Sequence, residues 1–544
     1  MQSYQLTVDK FLDHGAKWAG AREVVTAEAG HAIARIGYAK LRTRANRLSG
    51  ALAFLGLRFG QPIGTLAWNT QQHLELYYAA MGAGLICHTL NPRLTAAHLA
   101  AMINEAEDRV LAVAANLMPL LAELKPLCPG LEHVIILDRD PADQQGLDAA
   151  GPQLWEYESL LERHGVPVVW GDFDEQSPAG LCYTSGTTGA PKGVLYTHRS
   201  NYLHTLRALQ ADAMALTGRD VLLAAVPMFH ANGWGLPFMA PAVGAKLVLP
   251  GRHANPASLA RLMQQEGVTV AAGVPTVWLG LLDHLDKVGA ELPDLERIII
   301  GGSSCPDALI RRIEDRLGAR VQNSWGMTEL SPMGVIQPLG APKLPPGACG
   351  RPVMGVDLKL TDAEGLALPR QTGHIGRLWV KGPSVLDRYF KADADALDED
   401  GYFDTGDLAS LDEEGDLTIC GRSKDLIKSG GEWINPSEIE DILGRLPAVG
   451  QVAVIGRADP KWGERPQLIV EARQGHRIDA AELLESLRGE VPDWWLPDTV
   501  IQVDAMPVAA TGKIDKARLR ADYGASPGAD AGPAGDLGGQ GRLT

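Results

Sequence analysis

The feature that most constrains this 544-residue chain is a series of short apolar runs that stop at punctuation residues such as Gly and Pro. HVIILD, LLAAVP, AKLVLPG, GVTVAAGVP and RIIIGGSS all have strand length. Between them lie segments of helix length: RTRANRLSGALAFLGL has helical spacing, and HLELYYAAMGAGLICHTLN reads as a helix running into a strand. Strands that alternate with helices need crossover connections. The expected fold class is therefore α/β, with a large N-terminal domain of layered, mostly parallel sheets covered by helices.

Near residue 400 the texture changes. LASLDEEGDLTICGR reads as two strands around an acidic turn at Asp412 to Gly415. Asn435-Pro436-Ser437-Glu438 has the form of a helix start, with Asn435 as N-cap, Pro436 in the first position and Glu438 as capping-box partner. QVAVIG, RPQLIVEAR, a helix over AAELLESLRG and TVIQVD then make a small α+β unit. The expected division is a large domain over 1–423, a small C-terminal domain over 424–523 and a tail over 524–544. The tail is Gly, Ala, Pro and Asp with little to bury, so disorder is expected there.

A formal charge of −16 disfavours a nucleic-acid partner, and any anionic substrate must meet local positive charge. Six cysteines are scattered without C-x-x-C or metal-ligand spacing, which points away from structural zinc and from a disulfide framework and toward a reduced cytoplasm. The N-terminus lacks a basic region followed by an apolar one, and no apolar run reaches the length of a membrane span.

YTSGTTGAPKGV, from Tyr183 to Val194, carries the inventory of a phosphate-holding loop. It is not a Walker loop, because Pro191 precedes Lys192 and strand-like pieces flank it on both sides. Gly186 and Gly189 allow close backbone approach. Backbone N–H groups and the hydroxyls of Thr184, Ser185, Thr187 and Thr188 can donate to phosphate oxygens, with Lys192 supplying charge.

TSGTTGAPKG, GGSS, NSWGMTE, YFDTGD, GRSKDLIKSGGEWI and TGKIDK occur in this order. Together they resemble the motifs of the acyl-adenylate-forming superfamily of acyl-CoA synthetases, luciferases and peptide-synthetase adenylation domains, over nearly the whole chain. The resemblance implies attack of a carboxylate on the α-phosphate of ATP, followed by displacement of AMP by a thiol. Glu329 resembles the magnesium ligand, with Thr184 adding a hydroxyl; Mg²⁺, a hard cation, suits such oxygen donors. Gly301, Gly302 and Ser303, with Asn323, Ser324 and Trp325, resemble the surround of adenine, and Gly326, Met327 and Thr328 continue the same nucleotide-binding motif to Glu329. Trp325 stands where most relatives carry Tyr, which keeps a stacking face and removes a hydroxyl. Asp407 resembles the ribose-binding carboxylate, assisted by Arg422.

On the small domain, Lys513 resembles the adenylation lysine and Lys424 the hinge about which that domain swings as a mobile lid. Gly430 and Gly431 match a thiol tunnel, with Lys428 and Trp433 on the same loop near adenylate or CoA. VPMFHANGWGLPF, with His230 and Trp234, resembles the acyl-pocket segment of medium- and long-chain fatty acyl-CoA synthetases, Gly302 and Trp325 lining the same pocket. No acidic side chain lies between Phe229 and Phe238 to meet an amino group, which disfavours amino acids. The expected activity is an AMP-forming acid–CoA ligase. Ligases for short acids such as 3-methylthiopropionate share this segment and stay open, as does a non-catalytic nucleotide- or acyl-binding relative. CoA is expected as acceptor, and the resemblance allows a homodimer through the large domain.

Overall fold

The structure, a computed structural model, describes residues 2–28, 33–138, 151–184, 191–341, 344–345, 347–430, 432–473, 475–508 and 514–524. The described chain divides into two compact units between Cys420 and Gly421.

In the large unit, one sheet has seven strands among the described residues, in the order Gln153–Glu156, His133–Ile136, Val110–Val113, Pro62–Leu66, Ile86–Thr89, Pro178–Tyr183, Gly193–Thr197. All neighbours are parallel except the last pair, an antiparallel hairpin. A longer sheet has a parallel part ordered Glu23–Ala27, Lys246–Leu249, Val221–Ala224, Val270–Gly273, Arg297–Ile300, Arg320–Gly326. It continues through antiparallel strands such as Met333–Ile336, Ala348–Pro352 and Phe403–Leu411.

Both parallel parts are covered on two faces, which is why their strands read as unbroken apolar runs. Leu222, Ala224, Ile299, Ile63, Val110 and Ile135 face one core shared by the two sheets. Helices Tyr38–Phe54 and Gln71–Gly82 fill the space between the sheets; the second is buried from His73 to Gly82. Their neighbours in sequence point outward: Leu223, Ile298 and Ile300 pack under helices Pro256–Glu266, Pro275–Val288 and Asp307–Leu317. Leu111, Val113 and Leu181 pack under Ala96–Ala106 and Met118–Leu124. The result is a helix–sheet–helix–sheet–helix sandwich. Its local signals are ordinary: before Pro256 the Asn255 side chain accepts from Ser258 N–H at 3.0 Å, and Gly267 ends that helix at φ +62°.

The small unit is a five-stranded sheet among the described residues: Glu432–Ile434, Ile427–Ser429, Gly463–Ala472 and Val449–Asp459, with Thr499–Val503 on the third. One face, with Val454 and Leu468, packs on helices Pro436–Leu443 and Ala480–Leu487. The other, with Ala453 and Ile469, packs on Leu519 of helix Lys516–Tyr523. Asn435 does cap its helix, accepting from Ser437 N–H at 3.1 Å. The capping-box expectation needs correcting: Glu438 accepts from the Asn435 side-chain amide at 3.0 Å. With Pro436 at the first helical position, cap and glutamate meet side chain to side chain. All six cysteines are free thiols. Among the described residues, no helix is long and apolar enough to cross a membrane.

Candidate active site

The large unit's candidate residues gather at the carboxyl ends of its parallel strands, where open α/β sheets form crevices. Pro178–Tyr183 and Gly193–Thr197 pair with Tyr183 opposite Gly193. The hairpin is closed by Thr184 N–H donating to the Lys192 carbonyl at 2.9 Å and Lys192 N–H donating to Thr184 Oγ1 at 3.3 Å. Ser185, Gly186, Thr187, Thr188 and Gly189, the rest of the expected phosphate loop, lie outside the described residues.

Lys192 Nζ sits 4.7 Å from the centroid of the Tyr389 ring, and the Tyr389 hydroxyl donates to Glu329 Oε1 at 2.9 Å. Tyr389 thus ties lysine to carboxylate. Burial, and then the Glu329 charge, hold its phenol above the ordinary range. Glu329 is itself buried on the turn Thr328–Leu330. That turn is fixed by Tyr196 O–H donating to the Thr328 carbonyl (2.7 Å) and Leu386 N–H donating to the Glu329 carbonyl (2.9 Å). Tyr389 was not singled out from the sequence. It stands in a stretch without a motif, and the pairing of Phe390 N–H with the Gly193 carbonyl at 2.8 Å brings it here.

Asn323 to Gly326 end the strand next to Arg297–Ile300. Ser324 Oγ donates to the Ile300 carbonyl at 2.8 Å, and a methyl at Gly301 would sit 2.5 Å from the Ser324 Oγ, so a side chain there would have to displace that hydroxyl from its hydrogen bond. Gly302 has φ +83°, and Ser303 beside it is exposed. Asn323 Nδ2 donates to the Ala348 carbonyl at 2.9 Å. A methyl at Gly326 would lie 2.3 Å from the Pro332 carbonyl oxygen, which also accepts from Met327 N–H at 3.0 Å. Trp325 Nε1–H donates to Asp407 Oδ2 at 2.9 Å. The missing tyrosine hydroxyl therefore does not leave this position without a polar contact.

The His230–Trp234 segment has a backbone that sequence reading did not foresee. Ala231, Asn232, Gly233, Trp234 and Gly235 all have positive φ, from +39° to +75°, a complete left-handed turn. It is held from several sides. Asn69 Nδ2 donates to the carbonyls of Ala224 and Val226 at 2.9 and 2.7 Å, and Asn69 Oδ1 accepts from Met228 N–H at 2.7 Å. Thr89 Oγ1 donates to Asn232 Oδ1 at 3.1 Å. The turn places the Trp234 ring beside the glycine pair: methyls at Gly301 and Gly302 would lie 3.3 and 3.5 Å from it. His230, half-buried, opens the turn and its carbonyl accepts from Gly233 N–H at 2.9 Å.

In the small unit, Arg422 ends the strand Leu417–Arg422 and Lys424 lies exposed in the turn Ser423–Asp425. Strands Ile427–Ser429 and Glu432–Ile434 pair Lys428 with Trp433, and the ammonium lies 5.4 Å from the ring centroid. Gly430, at φ +62°, faces the Trp462 ring, from which a methyl would be 2.8 Å away. Gly431 and Lys513 lie outside the described residues. The flanks of Lys513 are anchored by a bridge between Val508 and Ile514 and by Asp515 N–H donating to the Pro507 carbonyl at 2.8 Å.

Residues 12–390 match the family described as AMP-binding enzyme, and residues 438–513 match the AMP-binding enzyme C-terminal domain. The 3-methylmercaptopropionyl-CoA ligase of Ruegeria lacuscaerulensis is 42% identical over 532 residues, covering 96% of this chain and 98% of the relative. The medium-chain-fatty-acid–CoA ligase of Ectopseudomonas oleovorans is 41% identical over 533 residues, covering 96% and 97%. The ATP-bound crystal structure of MatB from Rhodopseudomonas palustris superposes with a TM-score of 0.81 at 27% identity, covering 95% of this chain and 99% of that one. The chain belongs to the AMP-binding enzyme family.

Proposed function

We propose that the protein is an ATP-dependent acyl-CoA ligase that converts a carboxylic acid, most simply a medium- or long-chain fatty acid, to its CoA thioester. The observation that carries this reading is a set of contacts that links the ends of strands from both sheets of the large unit. Tyr389 joins Lys192 at the hairpin neck to Glu329, Trp325 at the end of Arg320–Gly326 bonds Asp407, and Trp234 leans on Gly301 and Gly302. A cation and a buried carboxylate suit the phosphates. A flat ring and an acidic acceptor suit a nucleoside, and an apolar indole suits an acyl chain.

In the first step a carboxylate oxygen of the acid attacks the α-phosphorus. The bond to the β-phosphate oxygen breaks, and pyrophosphate leaves with that electron pair. Lys192 offsets charge on the outer phosphates, and Lys513 bridges the attacking oxygen and the α-phosphate. Glu329, oriented by Tyr389, and the Thr184 hydroxyl are the oxygen donors that fit Mg²⁺, which supplies charge neutralisation for the nucleotide phosphates. Asp407 and Arg422 take the ribose. In the second step the CoA sulfur attacks the acyl carbon, AMP departs with the electron pair of the acyl–oxygen bond, and the thiol proton goes to solvent. Lys424 acts as the hinge between the two steps, and Gly430, Gly431, Lys428 and Trp433 line the thiol path.

A second reading, a short sulfur-bearing acid, is supported by the name of the relative at 42% identity. The test is pyrophosphate release with ATP, Mg²⁺ and CoA across saturated acids of graded length, with 3-methylthiopropionate in parallel. Release that requires acid, peaks at six or more carbons and disappears in Lys513→Ala is the expected result. A peak at 3-methylthiopropionate favours the second reading, and no acid-dependent release with any member overturns both.

A further inference from the structure

Trp325 and Asp407 meet through a hydrogen bond inside the large unit. Both residues are buried, and the hydrogen bond runs from a neutral ring N–H to a carboxylate oxygen across 82 residues of sequence. The ring is held at both ends. Its N–H edge meets Asp407, while its opposite edge lies over Gly334, where a methyl would sit 2.5 Å from Cζ3 and 2.7 Å from Cε3. A methyl there would also come within 2.9 Å of Leu330, so no side chain can be added without moving the indole. The backbone under the carboxylate is fixed as well. Asp407 N–H donates to Thr405 Oγ1 at 3.1 Å, and that hydroxyl donates to the Leu378 carbonyl at 2.7 Å.

We propose that Trp325 is a positioning residue for the nucleotide's ribose: its indole N–H fixes the plane of the Asp407 carboxylate, and Gly334 is the space that lets the indole reach it. A carboxylate accepts at about four lone-pair positions, and the indole N–H takes one of them. What the indole removes is rotation about the Cβ–Cγ bond of Asp407. A vicinal diol presents two donors at a fixed separation, and it is recognised as a pair only by an acceptor whose plane is already set. The proposal rests on the reading of Asp407 as the ribose acceptor. It adds that the larger aromatic residue at 325 and the glycine at 334 form one device for discriminating a ribose from a deoxyribose.

The experiment compares kcat/KM for ATP, 2′-deoxy-ATP and 3′-deoxy-ATP, with the best acid, in the full-length enzyme and in Trp325→Phe and Gly334→Ala. Trp325→Phe keeps an aromatic face but has no donor; Gly334→Ala keeps the donor but displaces the ring. The wild type is expected to prefer ATP over both deoxynucleotides. Both variants are expected to lose about tenfold of that preference, the size of a hydrogen bond to a charged group. General damage to folding or to adenine stacking lowers all three values together and leaves the ratio alone. An unchanged ratio in active variants overturns the proposal and leaves the ligase reading intact. A wild type that treats the three nucleotides alike removes Asp407 from the ribose and overturns it too. Absence of acid-dependent pyrophosphate release is a separate failure, of the ligase reading. If Trp325→Phe does not fold, Gly334→Ala decides alone.

Discussion

Tyr389 shows how much one side chain outside any motif can organise. Its ring takes the Lys192 ammonium and its hydroxyl takes Glu329, so two groups read separately from the sequence share one support. A cation over a phenol ring contributes roughly 0.5–1 kcal/mol at a partly exposed site, little enough for Lys192 to leave for a phosphate. The hydroxyl–carboxylate bond is stronger, roughly 1.5–3 kcal/mol. Tyr389→Phe is therefore expected to raise the Mg²⁺ concentration for half-maximal activity by about tenfold, because Glu329 loses the donor that orients it. Tyr389→Leu should do the same and also raise the KM for ATP. Mg²⁺ titration at fixed ATP checks both, and a half-saturation point unchanged in Tyr389→Phe would remove the orienting role.

Among elements, the left-handed turn at Ala231–Gly235 stands apart from the regular layers around it. L-residues in that conformation cost about 1–2 kcal/mol each, and three of the five are not glycine. Such backbone persists only where its surroundings over-determine it, here through Asn69, Thr89 and the packing of Trp234. Its glycines differ in a testable way. A methyl at Gly233 would meet Met228 at an ordinary 3.4 Å, whereas one at Gly235 would come within 3.0 Å of the buried His204 ring. Gly233→Ala should cost about 1 kcal/mol and Gly235→Ala about 2 or more. Thermal or denaturant unfolding of the two variants checks the order, and Gly235→Ala should also raise the KM for the acid as Trp234 is displaced. Equal, negligible losses would mean that the turn is not strained.

The same element marks where sequence reading stops. The layered sheets were legible because a strand covered on both faces must be apolar throughout, as in Val221–Ala224, and the hairpin because strand-like pieces flank the Gly-containing loop on both sides. The motifs named Lys192, Glu329, Trp325 and Asp407, but not the contacts among them. Trp325 reaches Asp407 across 82 residues, and Tyr389 reaches Glu329 across 60, through pairings that no local pattern encodes. Ala231, Asn232 and Trp234 carry no local preference strong enough to announce positive φ. Even the capping box at Asn435 was legible as a pair and misread as to which atoms meet.

For the large unit as a whole, three buried histidines set an acid limit. Val8 N–H donates to His198 Nδ1 and Met333 N–H donates to His204 Nε2, each at 3.3 Å, so both rings are neutral acceptors. His73 lies between the Trp68 carbonyl and Thr65 Oγ1, at 3.0 and 3.1 Å. Burial holds His73 down to about 4 and His198 and His204 to about 3, the last two helped by Lys10 and Arg207. An unfolded histidine protonates near 6.5. Below that pH the unfolded chain binds protons that the folded one refuses. The neutral rings are therefore cost-free above about 6.5, and stability falls as the pH drops from there toward 4. Each ring takes away about 1.4 kcal/mol per pH unit in that window. Asp9, Glu75 and Asp108, which burial holds above the usual carboxylate range, act in the opposite direction, so the bare slope is a sum of both. A single substitution separates them. His204→Gln offers Met333 N–H an amide oxygen and cannot titrate. Its unfolding free energy, measured between pH 6.5 and 4.5, should fall less steeply than the wild type's by about 1.4 kcal/mol per pH unit, whatever its stability at neutral pH. Parallel curves would mean that His204 accepts a proton in the folded protein, and that the acid limit lies elsewhere.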